Sequence, residues 1–155
     1  MRTFFLQTLL IAALLPRLDA ADAAEPLRVC ALLANLTAYE GKIVVLVGRY
    51  SFRESGRTLS EEKCGEQPGG ALHISFDKKS APPTPESLDL DGTTVRKLLA
   101  DIQRQTSLAK FKFGTPDYDR WAVVYGRVQH KPAGAAPAQI VCAGDGVVHF
   151  LFEVQ

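Results

Sequence analysis

The stretches VVLVGR at positions 44–49 and AVVYGR at positions 122–127 decide the fold of this chain of 155 residues. Each stretch is dominated by β-branched and other apolar residues, which predicts a buried strand. Each also carries a glycine inside the strand, Gly48 in the first and Gly126 in the second. A glycine at such a position is typical of a bulge or a sharp bend. Two matching strands that bend at a glycine favour a small sheet that closes on itself.

The remaining sequence adds helices and further strands around these two stretches. A short helix is predicted at 27–36, strands at 58–63 and 71–76 with a loop at 65–70 between them, and a proline-rich connector at 80–85. A second helix follows, with Asp91 or Thr93 as its N-cap and an apolar stripe that includes Val95 and Leu99. After the strand at 120–130, strand segments are predicted at 138–143 and 147–154.

This order of elements predicts a mainly β protein with two helices. Five strands with a helix between the third and the fourth match the Greek-key barrel of the oligonucleotide/oligosaccharide-binding (OB) type. In that barrel the first and fourth strands are neighbours, and the likeness of the two glycine-bearing stretches supports this assignment. The helix at 27–36 is then an extra N-terminal element.

The N-terminus predicts an export signal. Arg2 precedes an apolar run that reaches Leu15 and is stopped by Pro16, and this arrangement is typical of a secretory signal peptide. The apolar core is too short to span a bilayer. Small residues occupy the −3 and −1 positions of a cleavage site after Ala23, as signal peptidase requires. Residues 1–23 are therefore interpreted as the signal peptide, with cleavage after Ala20 as the alternative. Residues 24–155 then form one domain, in the periplasm or secreted.

The three cysteines all lie in the predicted mature chain. In an oxidising compartment one pair should form. A bond between Cys30 and Cys64 would pin the N-terminal helix to the sheet, but Cys64 with Cys142 is a rival pairing that the spacing leaves open. Cys142 follows two apolar residues in a strand-like run and has no base near it in sequence, so we expect a buried thiol rather than a nucleophile.

The segment from Val29 to Cys64 resembles a family of small exported bacterial proteins of unknown role. The resemblance rests on VCALL at 29–33, YEGKIV at 39–44, and then Gly48, Leu59 and Cys64. The pattern GKxVxVxG in the first strand of such proteins is similar to that of tRNA-anticodon-binding OB domains. The resemblance implies an OB-like barrel and favours the pairing of Cys30 with Cys64. After Cys64 it extends only to strand order, and this chain differs from it in Cys142 and the proline-rich connector.

Composition and motifs argue against several functions. A formal net charge of +1 gives no basic excess for a dedicated nucleic-acid-binding protein. The sequence DLDGTT at 89–94 resembles the first motif of haloacid-dehalogenase-like phosphatases, in which the first Asp is a nucleophile that acts with Mg²⁺. No buried parallel strand precedes Asp89 and Asp91, so a helix cap is the preferred interpretation and a Mg²⁺-dependent phosphatase the alternative. We predict no catalytic set, metal site or cofactor.

The candidate binding surface lies on the first three strands. Guanidinium groups there alternate with aromatic rings, a combination suited to stacking and to contacts with anions. Both rings, Tyr50 and Phe52, share strand parity with Val44 and Leu46, so core positions are the alternative for them. We predict an exported binding module for a peptide, glycan or protein, with oligonucleotide or oligosaccharide binding as the alternative. The six candidate residues are Arg49, Tyr50, Phe52, Arg53, Arg57 and His73.

Overall fold

The computed structural model describes residues 25–84, 92–110, 113–130, 138–144 and 148–151. The predicted signal peptide and the Asp89/Asp91 motif lie outside these residues. The described strands are β1 (Pro26–Arg28), β2 (Ile43–Arg53), β3 (Gly56–Cys64), β4 (Gln67–Phe76), β5 (Tyr118–His130), β6 (Ala138–Cys142) and β7 (Val148–Leu151). The described helices are all short: α1 (Val29–Ala34), α2 (Leu36–Tyr39) and α3 (Thr93–Gln103).

Five of the strands form a ring. Its order is β2, β3, β4, β6, β5 and back to β2. The β4–β6 pair is parallel and the other four pairs are antiparallel. Outside the ring, β1 pairs in parallel with β2, and β7 pairs antiparallel with β5. The protein is therefore mainly β, with a seven-stranded mixed sheet that is partly closed.

The two glycine-bearing stretches are neighbours, as predicted. Gly48 lies opposite Ala122 and Gly126 lies opposite Val44 in the antiparallel pairing of β2 with β5. The register runs without interruption from Ile43 to Phe52, so the bulge considered for these glycines is not present. The buried centre of β2 was also predicted correctly: residues 44–47 are at most 3% exposed.

The N-terminal helix differs from its prediction. Leu27, expected in the helix, lies instead in β1, where it pairs with Leu46 of β2. The helix itself is interrupted at Asn35, whose φ of −132° is not helical, and this interruption separates α1 from α2. The apolar residues at 27–36 fit a helical stripe, but Pro26 and Leu27 gain more from pairing with the buried strand β2.

Two other boundaries also differ. Residues 67–70, predicted as a loop from their proline and glycines, are the first residues of β4 and pair with β3. Helix α3 has Gly92 as its N-cap, with no capping side chain, and Thr93 is its first helical residue. The apolar residues Val95 and Leu99 are buried as the stripe predicts.

Close approach of the neighbouring strand explains why position 126 is a glycine. A Cβ atom there would lie 2.6 Å from the carbonyl oxygen of Val141 and 2.7 Å from Cγ1 of Ile140, both in β6. At Gly48 the nearest atoms would be 3.1–3.2 Å away and are mostly side-chain carbons of Val29 and Leu59. The side chains near Gly48 can shift, whereas the β6 backbone near Gly126 is fixed by its own pairing.

We therefore expect Gly126→Ala to lower the free energy of unfolding by about 1–3 kcal/mol, in the range of overpacking substitutions. Gly48→Ala should cost less. Urea unfolding followed by circular dichroism measures both losses. Equal losses, or a greater loss at position 48, would contradict the assignment of close backbone approach to Gly126.

Candidate functional site

The six predicted binding residues lie on two different faces of the sheet. Side chains alternate along a strand, so Arg49 and Arg53 of β2 share one face, while Tyr50 and Phe52 share the other. Arg57 is the cross-strand partner of Phe52 and lies on the same face as that ring. His73 is the partner of Thr58 and belongs to the face of Arg49 and Arg53. The structure therefore divides the predicted surface into two sites.

The first site is a groove with a volume of about 520 Å³ on the face that carries Arg49 and Arg53. Its lining combines polar and apolar surface, and most of its side chains are small. We call it the β2–β4 groove; its lining residues are Arg49, Ser51, Arg53, Thr58, Ser60, Glu61, Glu62 and residues 68–71. His73 is not among the lining residues.

Carboxylates neutralise both arginines of the groove. Arg49 donates to Glu62 at 2.6 Å and to the carbonyl oxygen of Ser107 at 2.8 Å. Arg53 donates to the buried carboxylate of Asp119 at 2.6 Å. Burial of Asp119 favours a higher pKa, but hydrogen bonds from the Ala109 N–H and from Arg53 outweigh it and hold its pKa below the usual range. The groove therefore has little net charge.

An open strand edge adjoins the groove. On one side, β4 is paired with β3 along most of its length. On its other side β6 joins only from His73 onward. Within the described ranges, the segment of β4 from Pro68 to Leu72 thus has no strand partner on that second edge. An unpaired edge exposes backbone donors and acceptors that can bind an added strand.

The second site is an aromatic and cationic cluster, made by strand ends that meet at one end of the ring. Phe52 stacks on Tyr118 with their centroids 5.3 Å apart, and Tyr118 and Phe150 make an edge contact at 6.5 Å. Arg57 and Arg120 lie over these rings. We call this group, with Phe76, the ring-end cluster.

Tyr50 belongs to the core rather than to a binding surface, which was the alternative considered for it. It is 2% exposed and contacts Tyr118 and Phe150. Burial raises the pKa of Tyr50 to about 12, with a further contribution from the neighbouring Tyr118. The charge of Arg57 and its hydrogen bond with the Tyr50 hydroxyl act in the opposite direction. Phe52 is only partly buried, so its ring remains accessible at the ring end.

The cysteines form the pair Cys30–Cys64, which excludes the rival pairing with Cys142. The bond joins α1 to the end of β3. Cys142 is a free, buried thiol in β6, and burial raises its pKa to about 12. A nucleophilic cysteine needs the opposite shift, so the environment of Cys142 suits a structural residue.

Sequence reasoning missed several residues of both sites. It did not find Asp119, the carboxylate partner of Arg53, or the open edge of β4. It also did not find Tyr118, Arg120 and Phe150 of the ring-end cluster. Tyr118 was predicted to lie in the loop just before the strand at 120–130, so its alternation with Arg120 along β5 was not recognised.

The described residues contain no group of three or more His, Cys, Asp or Glu side chains placed to hold a metal ion. No helix among them is long and apolar enough to cross a membrane. Comparison of the chain with protein-family models, curated proteins and solved structures finds no match.

Proposed function

We propose that this protein is an exported, noncatalytic binding module with an OB-like barrel, and that the β2–β4 groove takes an extended peptide segment of a partner protein. The observation that carries the proposal is the juxtaposition of two features. A groove of about 520 Å³, lined by small side chains and by charged side chains that are already paired, lies beside a strand edge of β4 that has no partner among the described residues.

The ring order supports the OB-like assignment. If β2, β3, β4, β5 and β6 are taken as strands one to five, strand one pairs with strands two and four, and strand three pairs in parallel with strand five. Helix α3 lies between strands three and four in the chain. This is the order expected for a five-stranded Greek-key barrel of this type.

The lining of the groove favours a peptide over the other ligands considered. Sugar rings and nucleobases are usually bound by stacking on aromatic side chains, and the groove lining contains none. Phosphate backbones require excess positive charge, whereas Arg49 and Arg53 are already paired with carboxylates. A peptide backbone needs only hydrogen-bonding groups along a strand edge and room for small side chains, and this site offers both.

The disulfide supports export. A bond between Cys30 and Cys64 persists in oxidising compartments such as the bacterial periplasm or the extracellular medium. The sequence of residues 1–23, with its positive start and short apolar core, is consistent with the same location.

The test is selection of random decapeptides displayed on phage against the folded, oxidised protein. Each selected peptide is then measured against two variants by titration calorimetry. Ala71→Trp fills the groove, whereas Ala100→Trp is its matched control on the exposed face of α3. We expect peptides whose affinity falls at least tenfold in Ala71→Trp and is unchanged in Ala100→Trp.

Two outcomes would overturn the proposal. One is a selection that yields no peptide above background from the wild-type protein. The other is a set of peptides that bind both variants as tightly as the wild type. An oligosaccharide array probed in parallel, with binding that depends on Ala71 in the same way, would replace the peptide by a glycan.

A further inference from the structure

The ring-end cluster contains an unbroken chain of aromatic rings and guanidinium groups. The Cζ atom of Arg57 lies 4.9 Å from the ring centroid of Phe76 and 5.2 Å from that of Phe52. Phe52 stacks on Tyr118 with an interplanar angle of 12°. The chain continues from Tyr118 through Arg120 to Phe150, with Cζ 5.7 Å and 5.5 Å from the two centroids.

The two arginines of this cluster differ from those of the groove in their charge balance. Arg49 and Arg53 each have a carboxylate partner, whereas neither Arg57 nor Arg120 forms an ion pair with any residue in the described ranges. The carboxylate of Asp77, which follows Phe76 in the chain, is already engaged by the N–H of Lys79 and the hydroxyl of Ser80. Glu54, in the turn between β2 and β3, forms no ion pair with either arginine.

A guanidinium that lies over aromatic rings is held in place by them. Arg57 also hydrogen-bonds to the Tyr50 hydroxyl, which engages only part of its five N–H donors and leaves the others for a ligand. Such a group binds the two oxygens of a phosphate or carboxylate in a bidentate manner. The rings of Phe52, Phe76, Tyr118 and Phe150 are only partly buried, so an added planar group can contact them. The cluster thus combines two arginines that have no carboxylate partner in the described ranges with four rings that are only partly buried.

We infer that the ring-end cluster is a binding site for a planar aromatic compound that carries a phosphate or carboxylate group. Arg57 and Arg120 bind the oxyanion, and the accessible parts of the partly buried rings contact the aromatic part of the ligand. This site is separate from the β2–β4 groove, because Arg57 and Phe52 lie on the opposite face of the sheet from Arg49 and Arg53.

The test uses phenyl phosphate and benzoate as probes in titrations of the ¹⁵N-labelled protein followed by NMR, at low ionic strength. Inorganic phosphate and phenol, each carrying half of the ligand chemistry, are the control compounds. We expect phenyl phosphate or benzoate to bind at least tenfold more tightly than either control, with the largest shifts at residues 52, 57, 118 and 120.

Variants then assign the site. Arg57→Gln and Arg120→Gln should each weaken binding of the tighter probe at least fivefold. Arg104→Gln is the matched control, because Arg104 is a highly exposed arginine paired with Asp101. Arg120 is itself exposed, so Arg120→Gln remains informative even if Arg57→Gln proves unstable to urea.

The inference is overturned if the aromatic anions bind no more tightly than phosphate or phenol. It is also overturned if Arg120→Gln binds as the wild type does. Ala71→Trp, which fills the groove, should leave these affinities unchanged. The peptide selection tests the groove and the titrations test the ring-end cluster, so either proposal can fail without the other.

Discussion

Glu61→Ala will lower the free energy of unfolding by about 2–4 kcal/mol, whereas Glu62→Ala, one position along the same strand, will lower it by less than about 1 kcal/mol. The side chain of Glu61 is fully buried, and its carboxylate accepts hydrogen bonds at 3.0 and 2.5 Å from Arg28 and at 3.1 Å from the backbone N–H of Cys30. Removing it leaves these donors without their acceptor. Because Arg28 remains 26% exposed, water offsets part of that loss.

Glu62 is the matched control for this substitution. Its carboxylate pairs with Arg49 at 2.6 Å, but its side chain is 41% exposed, and exposed ion pairs contribute little. Its backbone N–H donates to the Thr106 hydroxyl, and the substitution leaves that bond intact. Denaturation by guanidinium chloride gives both values, and equal losses for the two variants would contradict the assigned role of Glu61.

Removal of the disulfide should have a comparable effect. The bond between Cys30 and Cys64 closes a loop with a sequence separation of 34, for which the loop-entropy relation gives about 3–4 kcal/mol. The double variant Cys30→Ser/Cys64→Ser should lose that amount of unfolding free energy. Reduction of the wild-type protein by dithiothreitol should give the same loss.

The free thiol provides the control for the redox measurement. In Cys142→Ala the difference in stability between the oxidised and reduced protein should equal that of the wild type, since Cys142 takes no part in the bond. A difference that disappears in Cys142→Ala would contradict the pairing. Glu61 and the disulfide both hold the start of α1 against β3, so their losses should not be additive when combined.

Local sequence was sufficient to predict most of the strands. The β-branched runs in β2 and β5 have no helical period, and the pairing of the two was inferred from their likeness. The start of β4 could not be predicted in this way, because proline and two glycines at 68–70 are typical of a loop. There the pairing with β3 outweighs local preference, and Gly69 approaches the Glu61 carbonyl so closely that a Cβ atom would clash with it.

The candidate sites were predictable only in part, because successive side chains of a strand point to opposite faces of the sheet. The sequence places Arg49, Arg53 and Arg57 together, but the hairpin turn puts Arg57 on the other face. The partner of Arg53 is Asp119, which is remote in sequence and reaches the groove only because β5 pairs with β2. Long-range pairing of this kind determines whether an arginine is neutralised, and local sequence does not contain that information.

The pairing of β2 with β5 also has a consequence for how the chain folds. It joins Ile43 to Arg127 and Phe52 to Tyr118, so the ring cannot close until most of the polypeptide has been made. During synthesis β2 can associate early only with nearby segments such as β1 and β3, and its β5-facing edge stays exposed. Folding dominated by such distant contacts is slow, so we expect closure of the ring to be a late step in folding.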